Sequence, residues 1–381
     1  MRGERNIERK VLGLVVLSVF IFQFLSSRAQ SVVINPDSTI RFQYYGQAKR
    51  VKLMGDFHFK DEKSTSYSDH ERSYRMKRED SCFSLTIKPL KPEMYSYCFK
   101  VDGKRVPDPN NPDTVWQKLH KWNVLTVDGT ETADLYKPAE HEGQVVHSKW
   151  YSSKEQLFRR VNIYIPAGYD TCSQPLDVLY LIHGINGYEG AWTERGRARE
   201  ILENLVAEGR CRPMLIVMPD VNVGVHEDRP SLHTLWYNVM NYSRLKRDHR
   251  IEHSLTDLIE MVDTTYRVSD RIAIAGLSDG ARLAANVAQT HSDRVYAVGL
   301  FSPVVQKKQL PTDAMMAGCP DQPCVEYAII VGKKDWMFKC NGKRFHKRMN
   351  KATFAHDYIE VQEGHYWRTW REALILFLEK I

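Results

Sequence analysis

Residues 272–281 read Ile-Ala-Ile-Ala-Gly-Leu-Ser-Asp-Gly-Ala, and this stretch decides the fold of the larger part of the chain. An apolar run, typical of a buried strand, passes through a short turn into a pattern that favours a helix over 282–289. The turn has the form G-x-S-x-G, with Ser278 between Gly276 and Gly280. Such a turn is strained and lifts the serine hydroxyl above the sheet, and the glycines leave the room it needs. The stretch predicts a nucleophilic serine at a helix N-terminus, where developing negative charge is favoured.

Two further residues follow predicted strands and could complete a catalytic triad. Asp335 comes after one apolar strand and His365 after the next. Because an open α/β sheet gathers the carboxyl ends of its strands at one edge, we expect both side chains near Ser278. The order Ser, Asp, His resembles that of the α/β hydrolases. Asp357 and Asp313 are weaker candidates for the acid, since neither ends a predicted strand.

Composition places the chain among ordinary globular proteins. It has 381 residues, 43% hydrophobic and 27% charged, which predicts one large domain or two. Part of the net charge of +7 lies in the first 29 residues. The remaining excess is too small to indicate binding to nucleic acid or to a membrane surface.

Residues 1–29 have the pattern of a signal peptide. Basic residues precede the apolar run Val11–Leu25, and Ser27-Arg28-Ala29 is a plausible cleavage site. The alternative is an uncleaved membrane anchor, but the run is interrupted and short for a span of about 20 residues. We therefore expect cleavage after Ala29, export to the periplasm or the medium of a bacterium, and no stable membrane span afterwards.

Seven cysteines, all in the exported part, leave at least one thiol free if disulfides form. Cys82 and Cys98 flank a predicted hairpin and could pair across it, and Cys319 with Cys324 is the next candidate pair. No C-x-x-C motif and no zinc-like spacing with histidine occurs, so we expect neither a metal nor another cofactor.

The chain divides into an all-β part and an alternating part. Residues 31–133 contain about seven short alternating runs, which predict a β-sandwich, and 134–144 are a polar linker. From 145 to 381 predicted strands alternate with helices, which indicates a mostly parallel sheet covered on both faces. The predicted strands are Asn162–Ile165, Asp177–Ile182, Met214–Met218, Ile272–Ala275, Ala297–Phe301, Val325–Val331 and Tyr358–Val361, and the predicted helices are Gly196–Glu208, Ser254–Tyr266, Ala281–His291, Gly342–Ala352 and Trp367–Lys380.

The alternating part resembles the esterase D-like α/β hydrolases, and among them the feruloyl and acetylxylan esterases of carbohydrate-esterase family one. The resemblance covers almost all of 142–381. It rests on Leu181-Ile-His-Gly-Ile-Asn-Gly-Tyr-Glu-Gly-Ala-Trp192, on the turn around Ser278, and on the ending His365-Tyr-Trp-Arg-Thr-Trp-Arg371, whose H-x-W-x-x-W-R form is specific to this group.

The first part resembles the early-set immunoglobulin-like module that is similar to the glycogen-binding sandwich. The residues that match are Leu53-Met-Gly-Asp-Phe57, Tyr95-Ser-Tyr-Cys-Phe-Lys-Val-Asp-Gly103 and Asp108-Pro-Asn-Asn-Pro112. Such modules either bind glycan or brace the catalytic domain, and the absence of a recognisable aromatic platform favours bracing.

The resemblance implies an acyl-enzyme mechanism with Ser278 as nucleophile, His365 as base and Asp335 orienting it. The oxyanion hole would use the backbone N–H groups of Ile185 and Asp279. The family usually has G-x-S-M-G-G at the turn, so Asp279 is a departure. Its carboxylate either opposes the developing negative charge or points away and serves the helix N-terminus.

Aromatic residues near the predicted site could stack on phenolic or sugar rings. The leading hypothesis is a secreted esterase that releases ferulate or a related hydroxycinnamate from arabinoxylan, or acetyl from xylan. The alternatives are a catecholate siderophore (enterochelin-type) esterase and a catalytically weak glycan-binding relative. The candidate substrate contacts are Tyr188, Trp192, Trp236, Trp336 and Trp367.

Overall fold

A computed structural model describes residues 30–59, 72–117, 120–185, 187–222, 250–312, 315 and 325–381. Within these residues the chain forms two units, an N-terminal β unit (32–127) and an α/β unit (144–381). The signal-peptide region, Cys319, Cys324 and Asp313 lie outside the described residues. No helix in the described part is long and apolar enough to cross a membrane.

The N-terminal β unit consists of two sheets around one core. Their strand orders are β1-β2-β6-β5 and β4-β3-β7-β10-β9, with β8 paired to β7. Alternate residues of both sheets point inward, and the rings of Phe42 and Tyr97 meet edge-on at 5.1 Å between centroids. The strands are β1 (Val32–Ile34), β2 (Ile40–Tyr44), β3 (Val51–Gly55), β4 (Arg72–Arg75), β5 (Lys77–Arg78), β6 (Phe83–Ile87), β7 (Glu93–Val101), β8 (Lys104–Val106), β9 (Thr114–Gln117) and β10 (His120–Val127).

The predicted hairpin between Cys82 and Cys98 is wrong. β6 pairs with β2 in one sheet, whereas β7 pairs with β3 and β10 in the other. The chain thus crosses between sheets at 88–92 instead of turning back in the same sheet. Both cysteines are buried and neither forms a disulfide, so the predicted pairing is absent.

The α/β unit is built on an eight-stranded sheet of order β11-β12-β14-β13-β15-β16-β17-β18. β11 and β12 are antiparallel, and the strands from β14 to β18 run parallel. The strands are β11 (Gln144–Ser152), β12 (Leu157–Ile165), β13 (Leu176–Ile182), β14 (Leu215–Pro219), β15 (Val268–Leu277), β16 (Val295–Phe301), β17 (Glu326–Gly332) and β18 (Asp357–Val361).

Helices cover both faces of this sheet, which confirms the predicted mixed α/β fold. α3 and α7 bury one face, and α4, α5 and α6 bury the other. The helices are α1 (Glu131–Asp134), α2 (Ala191–Glu194), α3 (Ala198–Ala207), α4 (Arg250–Thr265), α5 (Asp279–Thr290), α6 (Lys339–Lys351) and α7 (Trp367–Leu378), with a 3-10 turn at Lys307–Gln309.

Strand β11 escaped the sequence prediction. It is an edge strand, half exposed, and its polar residues conceal the alternation that marks a strand. Trp150 anchors it, because its indole N–H donates to the Ser254 carbonyl at 2.9 Å. The preceding linker is packed as well, since Leu135 is buried and Asn204 donates to its carbonyl at 3.2 Å.

One buried hydrophobic cluster contains residues of both units. Met94, Trp122 and Val124 of the N-terminal β unit belong to the same buried cluster as Trp370 and Leu374 of α7. Contact between the units therefore includes buried apolar packing as well as polar contacts such as the Arg371–Glu93 pair.

Candidate active site

Ser278 lies in the turn between β15 and α5, at the carboxyl edge of the central sheet. Its φ of 55° and ψ of −115° put a non-glycine residue in a strained region, at a cost of about 1–3 kcal/mol. A Cβ on Gly276 would lie 2.4 Å from the carbonyl carbon of Gly280, and one on Gly280 would lie 2.4 Å from the His183 oxygen. Only glycine fits at both positions, as the sequence pattern predicts.

The turn is anchored to the neighbouring strand by its own backbone. Ser278 N–H donates to Phe301 O at 2.8 Å, and Val304 N–H donates to Ser278 O at 3.1 Å. These bonds offset the strain and hold the serine in place.

Asp335 and His365 are brought together as the sequence predicts. Asp335 is buried, and its Oδ1 accepts from the backbone N–H groups of Met337 at 3.1 Å and Phe338 at 2.8 Å. Its Oδ2 lies 2.8 Å from His365 Nδ1. A carboxylate oxygen accepts hydrogen bonds, so Nδ1 of the imidazole is the donor in this pair.

Aromatic packing fixes the plane of the His365 ring. Phe338 lies 4.7 Å from it between ring centroids, and Trp370 packs edge-on at 5.1 Å. Thr369 donates its hydroxyl to the carbonyl of Gly364, the residue before the histidine. Trp370 thereby gives the H-x-W-x-x-W-R ending a structural purpose.

The loop after β13 lies directly against the nucleophile. A Cβ on Gly184 would be 3.2 Å from Ser278 Cβ. Ile185 follows Gly184 and is partly exposed beside the serine. The backbone here can therefore approach a group bound at Ser278 closely.

A buried polar network that the sequence reading missed supports this loop. His183 Nδ1 pairs with Gly184 O at 2.7 Å, and its Nε2 accepts from Val221 N–H at 3.1 Å. Asn222 donates to the Gly187 carbonyl at 2.7 Å and to Asp220 at 2.8 Å. Asp220 and Asn222 directly follow β14, and that position at the carboxyl edge of the sheet was the signal to look for.

Arg160 of β12 supplies a positive charge to this network. Arg160 pairs with Glu189 at 2.9 Å and with Asp220 at 3.1 Å. Burial raises the pKa of Glu189, and the nearby Asp220 charge adds to this. Burial also opposes ionisation of Asp220, yet the adjacent His183 side chain and the charge of Arg159 bring its pKa below the ordinary value.

Asp279 turns its carboxylate away along α5. Its two oxygens lie 2.9 and 3.1 Å from Nε and a terminal nitrogen of Arg282. Arg282 is buried and also pairs with Glu252 at 3.4 Å. Of the two orientations considered from the sequence, this is the one in which Asp279 serves its own helix.

The aromatic candidates divide into core and rim. Trp192 is 1% exposed and packs edge-on against Phe301 and Trp367, so the prediction that it contacts substrate is wrong. Trp367 is equally part of that core, under the guanidinium of Arg195. Both rings are buried because they pack among the apolar side chains around α7.

Trp336, by contrast, is 68% exposed and adjoins Asp335. Tyr188 is half-buried in the loop that follows β13. Trp236 lies outside the described residues.

Of the alternative candidates for the catalytic acid, Asp357 pairs with Lys380 and not with His365. Among the described residues no three His, Cys, Asp or Glu side chains converge as a metal site requires.

The sequence matches the protein family described as "Putative esterase" over residues 156–381. The chain belongs to this esterase family. It is a carboxylic ester hydrolase, and the match spans the whole segment that carries Ser278, Asp335 and His365.

A curated relative of this esterase is the endo-1,4-beta-xylanase/feruloyl esterase of Xylanibacter ruminicola. The two are 25% identical over 134 residues, which is 34% of this chain and 18% of that longer protein.

Solved structures share the fold of the esterase. A ferulic acid esterase from Anaeromyces mucronatus, in complex with ferulic acid, matches with a TM-score of 0.52 and 21% identity over 64% of this chain and 93% of its own. Enterochelin esterase from Shigella flexneri matches with a TM-score of 0.61 and 15% identity over 93% and 96%.

Proposed function

We propose that the protein is an exported feruloyl esterase that releases ferulate or a related hydroxycinnamate from arabinoxylan, with acetyl removal from xylan as the nearest variant. The observation that carries the proposal is the 2.8 Å pair of Asp335 and His365 at the same sheet edge as the strained Ser278. The feruloyl esterase names of the relatives support the acyl group.

In the proposed mechanism the Ser278 hydroxyl oxygen attacks the ester carbonyl while His365 Nε2 takes its proton. Collapse of the tetrahedral intermediate breaks the bond to the sugar oxygen, which leaves with that proton from His365. Water then attacks the acyl-enzyme by the same route and frees the acid and Ser278. Asp335 holds the tautomer and stabilises the imidazolium.

The oxyanion would be held by the N–H groups of Asp279 and Ile185. Each donor of this kind lowers the barrier by about 3 kcal/mol. The contact of Gly184 with Ser278 and the polar network beneath the loop support Ile185 in this role. The pairing of Asp279 with Arg282 removes the main reason to expect weak catalysis.

For the acyl group, the exposed ring of Trp336 beside Asp335 offers a stacking surface, and Tyr188 lies on the other side of the serine along the sheet.

We further propose that residues 1–29 are a signal peptide, that 31–133 form an early-set immunoglobulin-like sandwich bracing an α/β-hydrolase domain at 145–381, and that 134–144 link them. The shared buried cluster supports bracing.

A second candidate is a catecholate siderophore esterase. It is favoured by the match of the Shigella flexneri enterochelin esterase to 93% of this chain, against 64% for the ferulic acid esterase. Against it, two of the arginines that could bind an anionic catecholate are already paired. Arg197 lies 2.7 Å from Asp113, and Arg199 lies 2.9 Å from Glu142.

The test is hydrolysis of methyl ferulate, 4-nitrophenyl acetate and a catecholate trilactone by protein from Gln30 onward, beside its Ser278→Ala variant. Turnover of the ferulate ester that the variant lacks supports the proposal. Turnover of the trilactone alone moves the assignment to the siderophore. Binding of glycan without turnover of any ester indicates the catalytically weak relative.

A further inference from the structure

Exposed large hydrophobic side chains concentrate at the active-site edge of the sheet. Seven occur among the described residues, and five of them lie at this edge, beyond the carboxyl ends of the parallel strands. Contiguous exposed apolar side chains often mark a place where a ligand or partner binds. The five are Tyr151, Phe158, Ile185, Trp336 and Met337, and the other two are Ile34 and Tyr45.

Tyr151 and Phe158 form a pair that the proposed chemistry does not use. They face each other across β11 and β12, with ring centroids 5.3 Å apart at 61°. Tyr151 is 50% and Phe158 is 65% exposed. Both rings therefore offer a free face to solvent.

The hairpin that carries the pair is held rigidly. Glu155 and Arg159 form a buried ion pair at 2.7 Å inside it. Ser153 ties it to α4 by a backbone bond of 2.8 Å to Asp257. A surface fixed in advance loses little entropy when a ligand binds, so the rings can add to affinity.

The pair lies on the side of the sheet that leads to the nucleophile. Phe158 and Arg160 share a face of β12 because they are two residues apart. Arg160 pairs with Glu189, in the loop whose Gly184 meets Ser278. Three strand steps separate β12 from β15, about 14 Å at ~4.8 Å per step, a span that a short oligosaccharide covers.

We propose that Tyr151 and Phe158 form an accessory glycan subsite, which stacks on the sugar chain that carries the ester. The inference rests on the proposed function and adds to it the part of the polymer beyond the esterified sugar. Trp336 lies two strands beyond Ser278, on the side opposite to Tyr151 and Phe158. The sugar chain would therefore be supported on both sides of the reacting bond. Apolar ring faces match the C–H faces of a neutral sugar.

The experiment compares the double variant Tyr151→Ala/Phe158→Ala with wild type on methyl ferulate and on feruloylated arabinoxylan. We expect kcat/KM on the polymer to fall about tenfold through KM, which corresponds to ~1.4 kcal/mol. Turnover of methyl ferulate stays unchanged. The conservative double variant Tyr151→Phe/Phe158→Tyr keeps the polymer activity, and Tyr45→Ala, an exposed aromatic of the N-terminal β unit, changes neither rate.

Unchanged polymer kinetics would overturn the subsite. So would an equal loss on both substrates, which indicates a structural role, or a change in sedimentation coefficient, which would make the β11 edge a contact between two copies of the chain. Retardation in gels containing arabinoxylan gives a readout without turnover. If wild type hydrolyses no ferulate ester, the proposed function fails. The subsite is then judged by retardation alone, and it fails if the double variant is retarded as strongly as wild type.

Discussion

The carboxylate of Asp279 and the guanidinium of Arg282 form a two-point ion pair one helical turn apart, beside the nucleophile. A charge at this position would oppose the negative charge that develops on the ester oxygen. The buried guanidinium neutralises it, so an acidic residue is tolerated next to Ser278.

Removing that partner should slow the chemical step. We expect Arg282→Met to reduce kcat about tenfold, or ~1.4 kcal/mol of barrier, because the Asp279 charge is then uncompensated. Asp279→Asn alone should stay near wild type, and Arg282→Met/Asp279→Asn should recover most of the loss. Steady-state kinetics on methyl ferulate, with circular dichroism to confirm folding, measure this. A double variant as slow as the single one would show that Arg282 acts otherwise.

Changing the acid of the pair should disable the base. Asp335→Asn leaves the backbone hydrogen bonds to the retained oxygen possible but favours the wrong tautomer of His365, and we expect kcat to fall on the order of 10³- to 10⁴-fold. Asp357→Asn, which alters an exposed acid paired with Lys380, serves as the matched control. Equal losses in the two variants would remove Asp335 from the mechanism.

Acid should loosen the contact between the units near His365. Burial lowers the pKa of His58 from 6.5 to about 4, so the unfolded chain binds a proton there that the folded chain refuses. The contribution of neutral His58 to the free energy of unfolding is present above pH 6.5 and is lost as the pH falls towards 4. His58 lies 3.5 Å from Glu363.

Glu363 adds to the loss of stability in acid, but only below its ordinary pKa of 4.5. Burial opposes its ionisation, but the Arg368 charge and the Tyr366 hydroxyl outweigh this and lower its pKa. We expect the melting temperature to fall between pH 7 and pH 5, and His58→Gln to flatten that slope. Exposed His120→Gln is the control, and an unaltered slope in His58→Gln would count against the assignment.

Arg371 should matter to folding far more than a surface arginine. It is 3% exposed and donates to Glu93 at 2.9 Å and to the Met94 carbonyl at 3.2 Å, both in the N-terminal β unit. Arg371→Met strands the Glu93 charge at the interface, and we expect a loss of about 3–5 kcal/mol in the free energy of unfolding. Arg41→Met breaks an exposed pair and should cost less than about 1 kcal/mol. Urea titration of the two variants compares them, and equal losses would contradict the prediction.

The sequence sufficed where one local pattern decides the structure. The turn around Ser278 is dictated by Gly276 and Gly280, and the Asp335–His365 pair follows from strand ends that meet at one edge. It failed where partners are distant in the chain. The environment of Trp192 comes from β16 and α7, and the fate of Cys98 depended on which sheet β7 joins.

Polar bracing also escaped the sequence for a physical reason. Asp220 is an ordinary loop acid until Arg160 of β12 lies beside it. β12 pairs with β14 although the paired residues, from Tyr164 with Ile216 to Val161 with Pro219, are 52 to 58 positions apart in the chain. Hydrophobic periodicity predicts which face of a strand is buried. It does not predict which distant loop a side chain on that strand contacts.

Trp122 and Trp370 belong to the same buried cluster although they come from different units. The N-terminal β unit therefore cannot be exchanged without disturbing the packing of the α/β unit. A chimaera that exchanged it for the corresponding region of a relative would put mismatched side chains against α7, the helix that begins two residues after His365. A substitution in this cluster on one unit therefore calls for a matching side chain on the other.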